Sequence, residues 1–436
     1  MKTNKTLLST AVAFGLLSSA NLANAAGFQL AEYSATGLGR AYAGEAAMAD
    51  NASAQWRNPA MLTYLEGTQV SVGAIYVNPN IDVEGEVRHP MLGNTAASSE
   101  DFAHDAIIPN LYISHRYNDQ LAIGFALGTN YGMETDLGKD FAASNFGNEA
   151  SVISKEANLN VAYQLNEQVS LGGGVRYVIA EGSIGAVMPS QMGIVSPTLP
   201  GAALKYMEGD DTAWGWQIGT AWQIDDNHRL GFTYKSAVDL KLEGYAEGLG
   251  FDKKAPVAKA RYNGSMELTL PATAELASFH QLSEKLAVQA SINWTDWSSF
   301  KKLSANIPEF GSDANQLVKT ENWKDNYRLA IGTTYKLDTK WTMRSGIAYD
   351  MSAVDDKYRT TTIPETDRLW LSIGAGYEWN ENLSLDAGFT YIFAKDAPIS
   401  EPRDLSDIEA AQYGGTFEGE VTGNVWLIGV QANYRF

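Results

Sequence analysis

From Gly67 onward, apolar residues alternate with small or polar ones in segment after segment. Leu121, Ile123, Phe125 and Leu127 fall on one face of an extended chain, with Ala122, Gly124, Ala126 and Gly128 on the other. Val169, Leu171, Gly173, Val175, Tyr177 and Ile179 repeat the pattern against Ser170, Gly172, Gly174 and Arg176. It returns in Leu286, Val288, Ala290, Ile292 and Trp294, and is sharpest in Leu383, Leu385, Ala387, Phe389, Tyr391 and Phe393. A period of two is that of strands with one apolar and one polar face. A soluble sandwich alternates too, but these segments commonly run to ten residues or more. That length suits tilted membrane strands better than sandwich strands.

Six short turns share one form: an aromatic or His, two residues, then a turn-former. They are His115-Arg116-Tyr117-Asn118, Tyr163-Gln164-Leu165-Asn166, Trp222-Gln223-Ile224-Asp225, His280-Gln281-Leu282-Ser283, Tyr335-Lys336-Leu337-Asp338 and Tyr377-Glu378-Trp379-Asn380. Asn, Asp and Ser suit tight turns because their side chains bond nearby backbone. The turn-formers are 48, 59, 58, 55 and 42 residues apart. Each interval holds two strands and one long loop, the pattern of outer-membrane barrels with short turns on the periplasmic side. Six turns join twelve strands, and residues 67–78 and 417–436 add one each, so the expectation is fourteen. Closure is required because lipid offers no partner for an edge strand. The long loops are expected at 79–106, 132–150, 182–209, 246–260, 300–319, 352–365 and 397–416.

The six residues that open the turns would share one depth and form a girdle of rings at the headgroup level. The last strand places Trp426, Ile428, Val430, Ala432, Tyr434 and Phe436 outward. At the other end, Lys2 and Lys5, the apolar run 7–17 and Ala23-Asn24-Ala25 read as a secretory signal over residues 1–25. The apolar run is too short to span a bilayer as a helix. Residues 26–66 form a Gly- and Ala-rich compact segment with neither strand alternation nor a helical stripe, suited to filling the barrel of residues 67–436.

Composition narrows function. The net charge of −19 becomes −21 without Lys2 and Lys5, which argues against nucleic acid as a partner. Cysteine is absent, so neither disulfides nor a thiolate metal site are expected. The five histidines, His89, His104, His115, His228 and His280, are scattered, and none lies in a nucleophile-elbow or zinc-protease motif. No enzyme, metal or cofactor is expected.

In residues 26–65, Gly27-Phe28-Gln29-Leu30, Gly37-Leu38-Gly39-Arg40-Ala41-Tyr42 and Asn58-Pro59-Ala60 resemble the N-terminal hatch of the outer-membrane long-chain fatty-acid transporters. The resemblance extends through Asn130-Tyr131-Gly132, Trp294-Thr295-Asp296-Trp297-Ser298, Lys324-Asp325-Asn326-Tyr327-Arg328 and Ile363-Pro364-Glu365-Thr366-Asp367-Arg368. Members of that family also carry aromatic hydrocarbons. The resemblance implies an all-β, fourteen-stranded antiparallel transmembrane barrel with a lumen-plugging hatch, passive uptake of a hydrophobic ligand, and no energy source. The terminal Phe436 resembles the signal read by the barrel-assembly machinery, and lipid of the outer membrane surrounds such a barrel.

The resemblance also implies sites. The third strand would kink inward at Asn130, Tyr131 and Gly132, helped by Gly124 and Gly128, and open a lateral gap faced by Asn58, Pro59 and Ala60. Phe28 matches a hatch aromatic beside an interior pocket, and Lys319 matches a cation for the ligand carboxylate. A second family cation after the fifth strand has no match in residues 184–189, so Arg176 is the candidate substitute. Two loops carry unusual apolar residues: Phe141 and Phe146 in one, and Met188, Met192, Ile194, Leu199 and Leu204 in the other. They form either a lid packed on itself or a greasy landing groove. A polar porin and a structural or receptor barrel remain alternatives, the first needing an open lumen and the second no ligand.

Overall fold

The computed structural model describes residues 27–195, 197–252, 260–403 and 407–436; the expected signal, 1–25, lies outside the described residues. The wall is a closed antiparallel barrel of fourteen strands, several in two segments. In chain order they are β1 (Thr68–His89), β2 (Ala106–Arg116), β3 (Leu121–Gly128, then Gly132–Asp136), β4 (Glu149–Gln164), β5 (Val169–Val187), β6 (Ala203–Asp225) and β7 (His228–Lys235, then Val238–Glu247). There follow β8 (Tyr262–Leu270, then Thr273–Gln281), β9 (Leu286–Thr295, then Lys302–Asn306), β10 (Asn315–Thr320, then Asn326–Lys336), β11 (Trp341–Asp350), β12 (Arg368–Glu378), β13 (Leu383–Ala394, then Ala397–Glu401) and β14 (Thr416–Arg435). Neighbours in sequence pair with one another, and β1 pairs with β14 from Gln69↔Arg435 to Arg88↔Thr416. A further strand, Gly93–Ser99, folds back on the end of β1.

The turns work as their chemistry requires. Asn118, Asn166, Asp338 and Asn380 each accept, through Oδ1, the backbone N–H groups two and three residues on, at 2.8–2.9 Å. Ser283 accepts one such bond from Leu286 at 3.2 Å, and Asp225 one from Asn227 at 2.9 Å. Each side chain therefore replaces ladder partners that a two-strand reversal lacks. Rings mark both edges of the apolar belt: Tyr163, Trp222, Tyr335 and Tyr434 on the short-turn side, Trp214, Tyr327 and Tyr349 on the other, all exposed. On β14, Trp426 to Tyr434 covers about 26 Å along the strand at about 3.3 Å per residue, the scale of the apolar band of such barrels.

The strands run beyond the belt, into stretches expected to be loops. β1 continues to His89, β9 and β10 regain strand at Lys302–Asn306 and Asn315–Thr320, and β13 at Ala397–Glu401. The alternation continues there with its polarity inverted. Within the belt, apolar residues face lipid and small ones face the lumen. Above it, Ile81, Val83 and Val87 turn inward while Asp82 and Glu84 face out. Water, not lipid, surrounds this part, so the apolar face belongs inside.

Residues 27–65 are almost wholly buried in the lumen. They form two single-turn helices, α1 (Ala35–Leu38) and α2 (Ala54–Arg57), with 3-10 turns at Glu45–Ala47 and Pro59–Tyr64. Ser34 caps α1 by accepting the Gly37 N–H at 3.0 Å. Inward glycines of the wall let this segment approach. A Cβ on Gly374 would fall 2.7 Å from Gly39 Cα, and one on Gly172 would fall 2.5 Å from Pro59 C. Polar wall residues then hold it: Gln431 accepts from Ala35 N at 3.1 Å and Glu275 from Ala46 N at 2.9 Å.

Candidate functional site

Above the belt, a cavity opens among the outer strand extensions. Its apolar wall comes from Phe146 before β4, Ile184 on β5, Leu204 and Met207 on β6, Val318 on β10, and Ala410 and Tyr413. The last two lie on α3 (Ile408–Gly414). Lys319 is part of the same wall and only 4% exposed. Its ammonium donates to Thr362 Oγ1 at 3.2 Å, and it pairs with no carboxylate among the described residues. Burial, with Arg403 nearby, pushes Lys319 below the usual lysine range. Of the neighbouring acids, Glu401 and Asp407 lie 3.3 Å and 3.2 Å from Arg403 Nε, and the buried Glu321 accepts from Trp323 Nε1 at 3.1 Å.

Of the apolar loop residues singled out in the sequence, Phe146 and Leu204 meet Lys319 in this cavity. Phe141 does not; it is buried against Phe417, with ring centroids 5.8 Å apart. Met188 is buried outside the cavity lining, and Met192 and Leu199 are half-buried. Ile194 is 76% exposed on the turn Ser190–Ile194. The apolar loop thus divides between cavity wall, lid packing and surface.

Phe28 sits apart, in a nest of four rings: Trp297 at 4.6 Å between centroids, Phe300 at 5.8 Å, Trp323 at 6.0 Å and Tyr131 at 6.2 Å. The adjoining Gly27 has φ +70°, and a Cβ there would fall 2.5 Å from the Trp323 ring. Only glycine fits both the dihedral and the contact. Gly27 also lines, with Ile81, Ile363, Val425 and Arg368, a second small space.

The third strand is interrupted at residues 129–131, and what meets the break is the N-terminal end of the hatch. Pairing of β2 with β3 stops at Leu111↔Leu127, leaving residues 106–110 of β2 without a β3 partner. At the break the hatch N-terminus supplies the missing ladder: Leu30 N donates to Asn130 O at 2.7 Å and Gly132 N to Phe28 O at 2.8 Å. Asn58, Pro59 and Ala60 lie instead against Gly172 of β5 and Gly219 of β6. Asn58 is an N-cap, accepting Ala60 N at 3.0 Å with Pro59 in the first helical position, where a missing N–H costs nothing. Gly124 and Gly128 are not the bend either. They clear space for Gln55 and Trp56 of the hatch, whose atoms would lie 2.7 Å and 3.1 Å from a Cβ.

Arg176 is not a free cation. Its guanidinium forms a fork on Glu156, Nε to Oε1 and Nη2 to Oε2 at 2.8 Å each, and Nη1 donates to Ser236 O at 2.9 Å. Both side chains point inward from adjacent strands, so the pair neutralises itself inside the wall. Glu156 also accepts from Asn130 Nδ2 at 2.6 Å, which ties the pair to the break in β3.

A sequence model described as outer membrane protein transport protein (OMPP1/FadL/TodX) matches residues 16–436. The chain belongs to this family. A FadL/TodX relative from Escherichia coli O6:H1, named long-chain fatty acid transport protein, is 35% identical over 462 residues, covering 100% of this chain and 99% of its own. Outer membrane protein P1 of Haemophilus influenzae is 35% identical over 472 residues, covering 100% of both chains. The crystal structure of a Pseudomonas aeruginosa FadL homologue superposes with a TM-score of 0.81 at 23% identity, over 94% of this chain and 100% of that one. The toluene transporter TbuX of Ralstonia pickettii gives 0.63 at 19% identity, over 93% and 98%. Such structural likeness speaks to fold. The protein is an outer-membrane barrel of a transport family, as its sequence led one to expect.

Three features were not singled out by residue reasoning. α3 lay hidden in an acidic loop, where Ala410 and Tyr413, three residues apart, were the available signal of a helical face. Trp297 and Phe300, and with them Trp323, stood in matching motifs or loop sequence without a role. Lys235 carried no signal beyond being the last residue of an alternating strand.

Proposed function

We propose that this protein carries long-chain fatty acids, or similar hydrophobic compounds with an anionic end, passively across the outer membrane. The observation that carries the reading is Lys319: a buried ammonium paired with no carboxylate among the described residues, set beside the apolar side of a cavity whose other lining includes Asn145, Lys205, Asp407 and Glu409. Burying such a charge is costly unless an anion joins it. A carboxylate at Lys319 with its tail against Phe146, Leu204 and Met207 satisfies both surfaces. Two relatives' printed names, the fatty-acid and the toluene transporters, agree on hydrophobic cargo. The lumen filled by residues 27–65 argues against an open polar porin.

From the outer cavity the ligand reaches the ring nest when residues 28–30 withdraw. That movement also removes the ladder that closes the break in β3, so tail and wall open together and the ligand leaves sideways between β2 and β3. Residues 1–25 act as the export signal removed before folding. No catalysis is part of this reading.

The test is binding of saturated fatty acids of increasing length to the purified, refolded barrel. Each added methylene buries about 0.8 kcal/mol, so the dissociation constant falls about fourfold per carbon until the cavity is filled. Lys319→Met weakens binding about tenfold or more for the acids and leaves a matched hydrocarbon unaffected. No length dependence, together with stable ion channels in planar bilayers, sinks the proposal in favour of a porin.

A further inference from the structure

Beside the hatch N-terminus lies a third, smaller space of more charged character. It is bounded by Leu30 of the hatch and by Arg57, Lys235 and Arg328, with the carboxylates of Glu275 and Asp350. Three cations therefore face two anions. Arg57 Nε lies 3.5 Å from Glu275 Oε2. Arg328 donates Nη2 to Ala41 O at 2.8 Å and stacks 4.7 Å from the Trp370 ring, while its buried Nε has no partner among the described residues.

Lys235 is the most telling of the three. It is 5% exposed, and among the described residues its ammonium makes one hydrogen bond, to Asn130 Oδ1 at 3.3 Å, with the Trp56 ring centroid 4.7 Å away. The nearby Glu156 is already held by Arg176 and by Asn130 Nδ2. An ammonium has three donors. Here one is used, at the residue where the wall breaks and the hatch backbone docks.

We propose that Lys235, with the free Nε of Arg328, forms an inner station for the ligand's carboxylate. It takes the headgroup over from Lys319 and holds it while the tail turns toward the gap between β2 and β3. This rests on the transporter reading and adds a second, kinetic site to it. An anion at Lys235 competes for the ammonium that steadies Asn130, so its arrival loosens the same residue whose carbonyl holds Leu30 of the hatch. Binding at the outer cavity does not need this station; passage does.

The experiment uses the full chain in cells lacking their own transporter, with radiolabelled oleate uptake measured beside oleate binding to the purified protein. Lys235→Gln is expected to lower uptake at least tenfold while the binding constant stays within twofold of wild type, and Lys235→Arg to restore uptake. Wild-type uptake by Lys235→Gln overturns the proposal. So does an equal loss in Lys235→Gln and Lys235→Arg, which marks a packing role, or a matching loss of binding, which marks a single site. If Lys235→Gln does not reach the membrane, Arg328→Gln tests the same station, with a smaller fall in uptake expected and unchanged uptake overturning it. A wild-type protein that neither binds nor imports oleate removes the transporter reading itself, and that is seen before any variant is compared.

Discussion

Gly219 on β6 stands so close to Asn58 of the hatch that a Cβ on the glycine would fall 2.8 Å from Asn58 Cγ. The asparagine uses the space to donate to Ala46 O at 2.6 Å and Thr220 O at 3.0 Å while capping its own helix. Hatch loop, hatch helix and wall thus meet at one fully buried side chain. Asn58→Ala takes the donor from the buried Ala46 carbonyl, at about 1–3 kcal/mol, and removes the bond to Thr220 O. The expected result is a hatch that yields to protease in detergent while the barrel keeps its heat-modifiable mobility. Gly219→Val should do the same by overlap alone. An uncut hatch in both variants would contradict this.

The Arg176–Glu156 fork is buried on both sides. Removing one partner strands a charge, about 3–5 kcal/mol, whereas replacing both with apolar residues of similar volume is close to neutral. Thermal unfolding of Arg176→Met, Glu156→Leu and the double variant should show the double more stable than either single. Fatty-acid affinity should not change in the double variant, because neither group faces the outer cavity.

These two cases show what one sequence can and cannot display. Asn118 and Asp338 were legible as turn-formers because a turn is local: the side chain bonds backbone two and three residues away. The strand count followed from them. Arg176 reads in sequence as a candidate cation for the ligand because its partner lies 20 residues off on the neighbouring strand, and only the ladder brings them together. The strands above the belt were missed for another reason. Their alternation is intact, but with water outside rather than lipid the meaning of its apolar face reverses, and residues such as Val83 and Val87 then resemble loop sequence. Lys319 was placed by resemblance, and its apolar setting became visible only with β5, β6, β10 and α3 around it.

Phe28 fills a nest that includes two tryptophans, at 4.6 Å and 6.0 Å between centroids. Phe28→Ala removes about 3–5 kcal/mol of packing there. Emission from Trp297 and Trp323 should shift to the red as water enters, and the same shift should appear in wild type when ligand displaces the hatch N-terminus. A Phe28→Ala spectrum identical to wild type would place the nest elsewhere in the cycle.

Glu401, in the outer strand extension, is pushed up to about 7 from 4.5, chiefly by burial, against the pull of Arg403 and Lys319. A raised carboxylate pKa means that the folded form binds more protons than the unfolded one between those values. Stability of this region therefore falls as pH rises from about 4.5 to 7 and levels off above. Protection factors in α3, with the intrinsic base-catalysed rate divided out, should fall across that window, and Glu401→Gln should flatten the profile. A flat wild-type profile would refute it.

The ladder from Gln69↔Arg435 to Arg88↔Thr416 joins the first wall strand to the last. Contact order could hardly be higher for any pair of elements in this chain, and such pairings are the slow ones. Until β14 arrives, β1 presents an open row of donors and acceptors, and the hatch, made before any strand, has no finished cage. The plug and its container therefore mature in one closing event. A chain that stops short of residue 416 leaves not a shorter barrel but a sheet with two sticky rims and an unhoused N-terminus.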